Sequence, residues 1–135
     1  MKKFAKVAAV VLVAVMVLAV LVACGPASDP DKAVSALKGN GYTAAKLSAD
    51  GYSFNGLTAV VTGTKGVLSS ILGGSDDFQT ITIYYFESAS AAKDNYEAIE
   101  SKANSDSNKK DSDWVIAQSG AMIYYGTKQA VKDAR

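Results

Sequence analysis

Hydrophobic spacing changes character several times along this chain. Val7 to Ala23 is an unbroken apolar block of 17 residues. A short amphipathic stripe follows, in which Ala33, Val34 and Leu37 are bounded by Asp29-Pro30 and by Gly39-Asn40-Gly41. An aspartate can accept from the open N–H groups of a first turn, and a proline there has no N–H to satisfy, so the pattern predicts a helix that starts at Pro30 and stops at the glycines. Residues 42–49 and 57–64 are rich in β-branched and aromatic side chains and are separated by the turn-forming Asp50 to Gly56, which predicts a strand pair. Residues 78–87 alternate, with Ile81, Ile83 and Tyr85 on one face and Thr80, Thr82, Tyr84 and Phe86 on the other.

From Ser88 the period lengthens to that of a helix: Ala89, Ala92, Tyr96, Ile99 and Ala103 fall on one side, with Lys93, Asp94, Glu97, Glu100 and Lys102 on the wet side. A polar loop spans 104–113. Residues 114–118 and 121–125 then flank Ser119-Gly120 at hairpin spacing, and Gly126-Thr127 opens a last short helix with Ala130, Val131 and Ala134 inward.

The resulting order, αβββαββα, predicts an α+β fold, a largely antiparallel sheet of about five strands with helices packed on one face, after an N-terminal signal peptide. Only 78–87, 88–103 and 114–118 offer a strand–helix–strand crossover, which argues against a doubly wound parallel sheet. If the face opposite the helices is open, Tyr84, Phe86 and Tyr124 share it, and they read either as an aromatic binding platform or as ordinary strand formers tolerated on a half-wet sheet. Val67, Leu68, Ile71 and Leu72 lie between Gly66 and Gly73-Gly74 at helical spacing. They read either as a short helix closing the core or as an exposed contact for a partner or for a bilayer.

The apolar block carries the strongest signal. Lys2, Lys3 and Lys6 precede it, and it closes on Leu21-Val22-Ala23-Cys24-Gly25, the layout of an export signal. In these residues the chain resembles bacterial lipoprotein precursors: Leu21, Val22, Ala23 and Cys24 match their lipobox position by position. The resemblance covers only the first 25 residues. It implies cleavage after Ala23, acylation of Cys24 and a location on the extracytoplasmic side of the cell membrane. The expected organisation is a signal peptide over 1–23, a short tether with lipidated Cys24 over 24–29, and a single α+β domain over 30–135. An uncleaved spanning helix is the alternative reading of 17 apolar residues, and it too places the rest of the chain outside, because the lysines stay inside. Two or three acyl chains hold a protein firmly where one gives marginal binding.

Charge and composition narrow the function. Three of the 14 basic residues lie in the signal, leaving 11 against 13 acidic ones, without the clustered basic excess of a nucleic-acid binder. No histidine occurs, which removes the commonest general base and metal ligand, and a single cysteine permits no intramolecular disulfide. Ser35–Lys38, Ser90–Lys93 and Ser107–Lys110 match the S-x-x-K spacing of penicillin-recognising serine enzymes. With 14 serines and 13 lysines such spacings arise by chance, and neither Ser-Asp-Asn nor Lys-Thr-Gly is present. Glu97 with Glu100, and Asp76 with Asp77, read as solvated acids and not as a catalytic pair. The sequence therefore predicts a non-enzymatic, monomeric, lipid-anchored module without cofactor or metal, its partner an envelope protein or glycan. An accessory structural lipoprotein without a specific ligand is the rival, and a serine hydrolase of the S-x-x-K type a distant third. The domain excised at Ser28 is expected to fold alone.

Overall fold

The computed structural model describes residues 25–66, 78–109 and 113–135. Strands β1 (Thr43–Ser48), β2 (Leu57–Lys65), β3 (Gln79–Phe86), β4 (Val115–Ser119) and β5 (Met122–Gly126) form one sheet, with helices α1 (Pro30–Gly39), α2 (Ala89–Asn104) and α3 (Lys128–Asp133). The strand order is β1-β2-β3-β5-β4, with every neighbouring pair antiparallel. Since β3 and β4 each run against β5, they are parallel to one another with β5 inserted between them, and α2 makes the crossover that joins them. The α+β class and the five-stranded antiparallel sheet are those the spacing predicts.

Local chemistry fixes each helix end. The Asp29 carboxylate accepts from the backbone N–H of Asp31 at 2.8 Å and of Lys32 at 3.4 Å, with Pro30 as the first helical residue. Ser88 Oγ accepts from the Ala91 N–H at 3.1 Å and starts α2. For α3 the cap comes from a distant loop: Thr127 makes no side-chain cap bond, and Asp113 Oδ1 accepts from the Lys128 N–H at 3.0 Å. Four N-terminal N–H groups of a helix lack partners within it, so this bond also holds the start of β4 against α3.

The placement of the helices differs from the sequence expectation. One sheet face, formed by Ala59, Val61, Ile81, Ile83, Tyr85, Met122 and Tyr124, packs against Ala33 and Leu37 of α1 and Ala130 and Val131 of α3. The opposite face, formed by Val60, Tyr84, Phe86, Ile123 and Tyr125, packs against Ala92, Ile99 and Ala103 of α2. Helices thus cover both faces, not one. The physical reason lies in β5, whose five residues are all buried. A strand apolar at consecutive positions has no wet side and must be sandwiched. The hairpin also turns one residue later than expected: Ser119 pairs with Met122, so Gly120 and Ala121 form the loop, and Gly120 carries the positive φ of 58° that suits the first loop position.

Candidate functional site

The predicted aromatic platform does not exist as an open surface. Tyr84 and Phe86 are buried beneath α2, and Tyr124 lies on the other face, since it pairs with Ile83 and joins the core under α1 and α3. Cys24 and the Val67, Leu68, Ile71 and Leu72 segment lie outside the described residues, as do Asp76, Asp77 and Lys110.

What the rings of the α2 face build instead is a continuous aromatic corner. Tyr84 is its centre, meeting Phe54 edge-to-face at a centroid distance of 5.6 Å and Tyr52 edge-to-face at 6.0 Å. On its other side it lies 6.1 Å from Tyr125, which in turn lies 6.0 Å from Trp114. Such offset and edge-on pairs align ring edges with ring faces and add to the burial energy. Burial pushes the Tyr84 hydroxyl well above the usual tyrosine range, and its hydrogen bond with Tyr125 pushes it the same way, with the charge of Asp106 a smaller contribution. The hydroxyl thus stays protonated as a donor.

Tyr84 is buried, but Tyr52, Phe54 and Trp114 are each partly exposed. They come from the loop after β1 and from the residue before β4, so they form the rim of the corner. Lys102 Nζ sits 5.8 Å from the centre of the Phe54 ring, a cation–π contact at its edge. The Trp114 Nε1 atom is buried with no hydrogen-bond partner among the described residues. A buried N–H left unmatched costs about 1–3 kcal/mol, so this donor is the most conspicuous unsatisfied group of the corner. Tyr52 and Phe54 fall in the segment that the sequence reading assigned to a plain turn. Their signal was two aromatic residues within a run of turn formers.

The remaining polar features are modest. A cleft of about 360 Å³ at the start of α2 is lined by Asn55, Glu87, Ser88, Ser90, Asp94 and Asn95. Asn95 Nδ2 spans it, donating to Asn55 O at 3.1 Å and to Ala91 O at 2.8 Å. Ser90 borders this cleft but Lys93 does not, so the S-x-x-K pair does not converge on one space. Ser35 lies in a separate shallow depression of about 430 Å³ with Ala27, Asp29, Asp31, Lys32 and Arg135. Glu100 accepts from Tyr96, whose hydroxyl is raised by burial first and by the Glu100 charge next. No cluster of three or more His, Cys, Asp or Glu side chains able to hold a metal occurs among the described residues.

The segment after Cys24 is integrated into the fold. Gly25 and Pro26 are buried. The Ala27 N–H donates to Ala134 O at 2.8 Å, and the Tyr85 hydroxyl donates to Ala27 O at 2.8 Å. Burial raises Tyr85 well above the usual range, and the Asp29 charge adds to that, so the donor is retained at any neutral pH. No known family model, curated protein or solved structure matches the chain. Among the described residues no helix is long and apolar enough to cross a membrane.

Proposed function

We propose that this protein is a non-enzymatic binding module held on the extracytoplasmic side of a bacterial cell membrane by acylated Cys24, and that the aromatic corner receives its partner, an envelope protein or glycan. The observation that carries the anchor is the order of residues at the start of the sequence, where Lys2, Lys3 and Lys6 precede an apolar block that closes on Leu21-Val22-Ala23-Cys24. Of the residues that follow, Ala27 already packs against the core of the domain.

Support for binding comes from the rim. Tyr52, Phe54 and Trp114 present flat, stiff rings that lose little conformational freedom on association. The absence of histidine and the separation of Ser90 from Lys93 weigh against the hydrolase reading. The spacer reading draws on a different observation: Leu47, 40% exposed, is the one large hydrophobic residue counted as exposed among the described residues.

Photocrosslinking separates the two. A benzophenone-bearing phenylalanine in place of Phe54 should give a discrete adduct in intact membranes, whereas the same analogue in place of Glu97, exposed on α2 outside the corner, should not. Identical products from both positions, or none from either, would overturn the binding assignment and favour a spacer.

A further inference from the structure

The two helical layers carry opposite charge. The layer made of α1 and α3 with their flanks, residues 29–39 and 128–135, bears Lys32, Lys38, Lys128, Lys132 and Arg135 against Asp29, Asp31 and Asp133. All five basic residues are exposed. The acids there are partly engaged: Asp29 caps α1, Asp31 pairs with Lys46 at 3.0 Å, and Asp133 accepts from Tyr42 at 2.8 Å and from Gln129 at 3.0 Å. The opposite layer, residues 87–109 around α2, has the reverse balance, with Glu87, Asp94, Glu97, Glu100 and Asp106 against Lys93, Lys102 and Lys109.

The chain also enters the fold on the basic side. Ala27 packs against the core beneath α1 and α3, bonded to Ala134, and it shares a depression with Lys32 and Arg135. From Cys24 to the first anchoring bond at Ala27 the chain takes three residue steps, a reach of roughly 10 Å even when extended. A lipid on Cys24 would therefore be held beside Lys32 and Arg135, too close for the domain to rotate freely.

We infer that the α1–α3 layer is a membrane-docking surface that lies against anionic phospholipid, so that the docked segment 25–27 and the basic side chains together orient the domain, with α2 and the aromatic corner facing away from the bilayer. The inference rests on the acylation of Cys24 proposed above. Anionic headgroups attract exposed lysine and arginine within a Debye length of the surface, and the acidic α2 layer is repelled from it. The lipid supplies residence and the charges supply direction.

Lysine acetylation with a membrane-impermeant reagent tests this on the mature full-length protein. The protein is extracted in detergent, its intact mass is measured, and it is labelled both in micelles and after reconstitution into phosphatidylglycerol or phosphatidylcholine vesicles. In phosphatidylglycerol, labelling of Lys32, Lys38 and Lys132 should fall at least about threefold relative to Lys93 and Lys102, less in phosphatidylcholine, and the protection should weaken near 1 M salt, where the Debye length is about 3 Å. A lipid-modified protein labelled equally on both layers in phosphatidylglycerol overturns the orientation alone. Protection already complete in micelles would assign the basic layer to another protein or a second copy and overturn it too. A mass without lipid overturns the anchor and the orientation with it.

Discussion

Replacing Gly126 with alanine should destabilise the domain by about 3 kcal/mol or more. Gly126 closes β5 at φ 155°, opposite Ile81 on one side and Val115 on the other. A Cβ there would run into the carbonyl oxygen of Thr80 and lie 2.8 Å from Ile81 Cα. Both obstacles are backbone, so β3 and β5 would have to separate where the sheet is most buried. The same movement would break the bond from the Thr127 N–H to Thr80 O at 2.9 Å, which leads the chain into α3. Small domains have only about 5–15 kcal/mol in total, and this one has no intramolecular disulfide in reserve. Two glycines serve as controls for denaturant unfolding. At Gly63 the new Cβ would lie 2.9 Å from Leu37 Cδ1, the movable end of a side chain, so the cost should be smaller. Gly120, with nothing within 4 Å but a φ of 58°, should lose only about 1 kcal/mol from backbone strain. Equal midpoints for wild type and Gly126→Ala would contradict this account of the β3–β5 contact.

Truncation at Ser28 should cost about 2–4 kcal/mol, because Ala27, ahead of the domain start that the sequence predicts at residue 30, packs against the core. Removing residues 25–27 takes away the Ala27–Ala134 backbone bond, uncovers the apolar surface under Ala27, and deprives the Tyr85 hydroxyl of its acceptor. Tyr85→Phe isolates the last of these and should cost about 1 kcal/mol, the net worth of one hydrogen bond. Urea titration of the three proteins checks the ordering, with the truncated chain weakest, Tyr85→Phe intermediate and the chain from Gly25 strongest. A truncated domain as stable as the longer one would mean that the segment is only a tether.

Most of the element list was legible because it depends on local spacing. The alternation of Ile81, Ile83 and Tyr85, the 3.6-residue period from Ala89 to Ala103, and the cap at Asp29 each involve residues close in sequence, and the structure places strands and helices there. The face on which Tyr124 lies was not legible in the same way. It depends on the pairing of Ile83 with Tyr124 across a connection that includes all of α2 and β4, and a slip of one residue sends every side chain of a strand to the other face. One cue was present and undervalued: Met122-Ile123-Tyr124-Tyr125 is apolar without alternation, which already points to a strand covered on both sides. The aromatic corner was hidden for a related reason. Tyr52, Phe54, Tyr84, Tyr125 and Trp114 come from four separate parts of the chain, and only the fold brings their rings together. The docked segment was missed because Gly25-Pro26-Ala27 carries no periodicity to read.

The proposed attachment of this domain through Cys24 is tested most directly by the intact mass of the protein extracted from membranes of cells grown with labelled palmitate. The account predicts a chain that begins at Cys24, is heavier than its sequence by a diacylglyceryl group, and carries the label, with both the extra mass and the label lost in Cys24→Ala. A chain retaining Met1 without added lipid, or one whose label persists in Cys24→Ala, would contradict it.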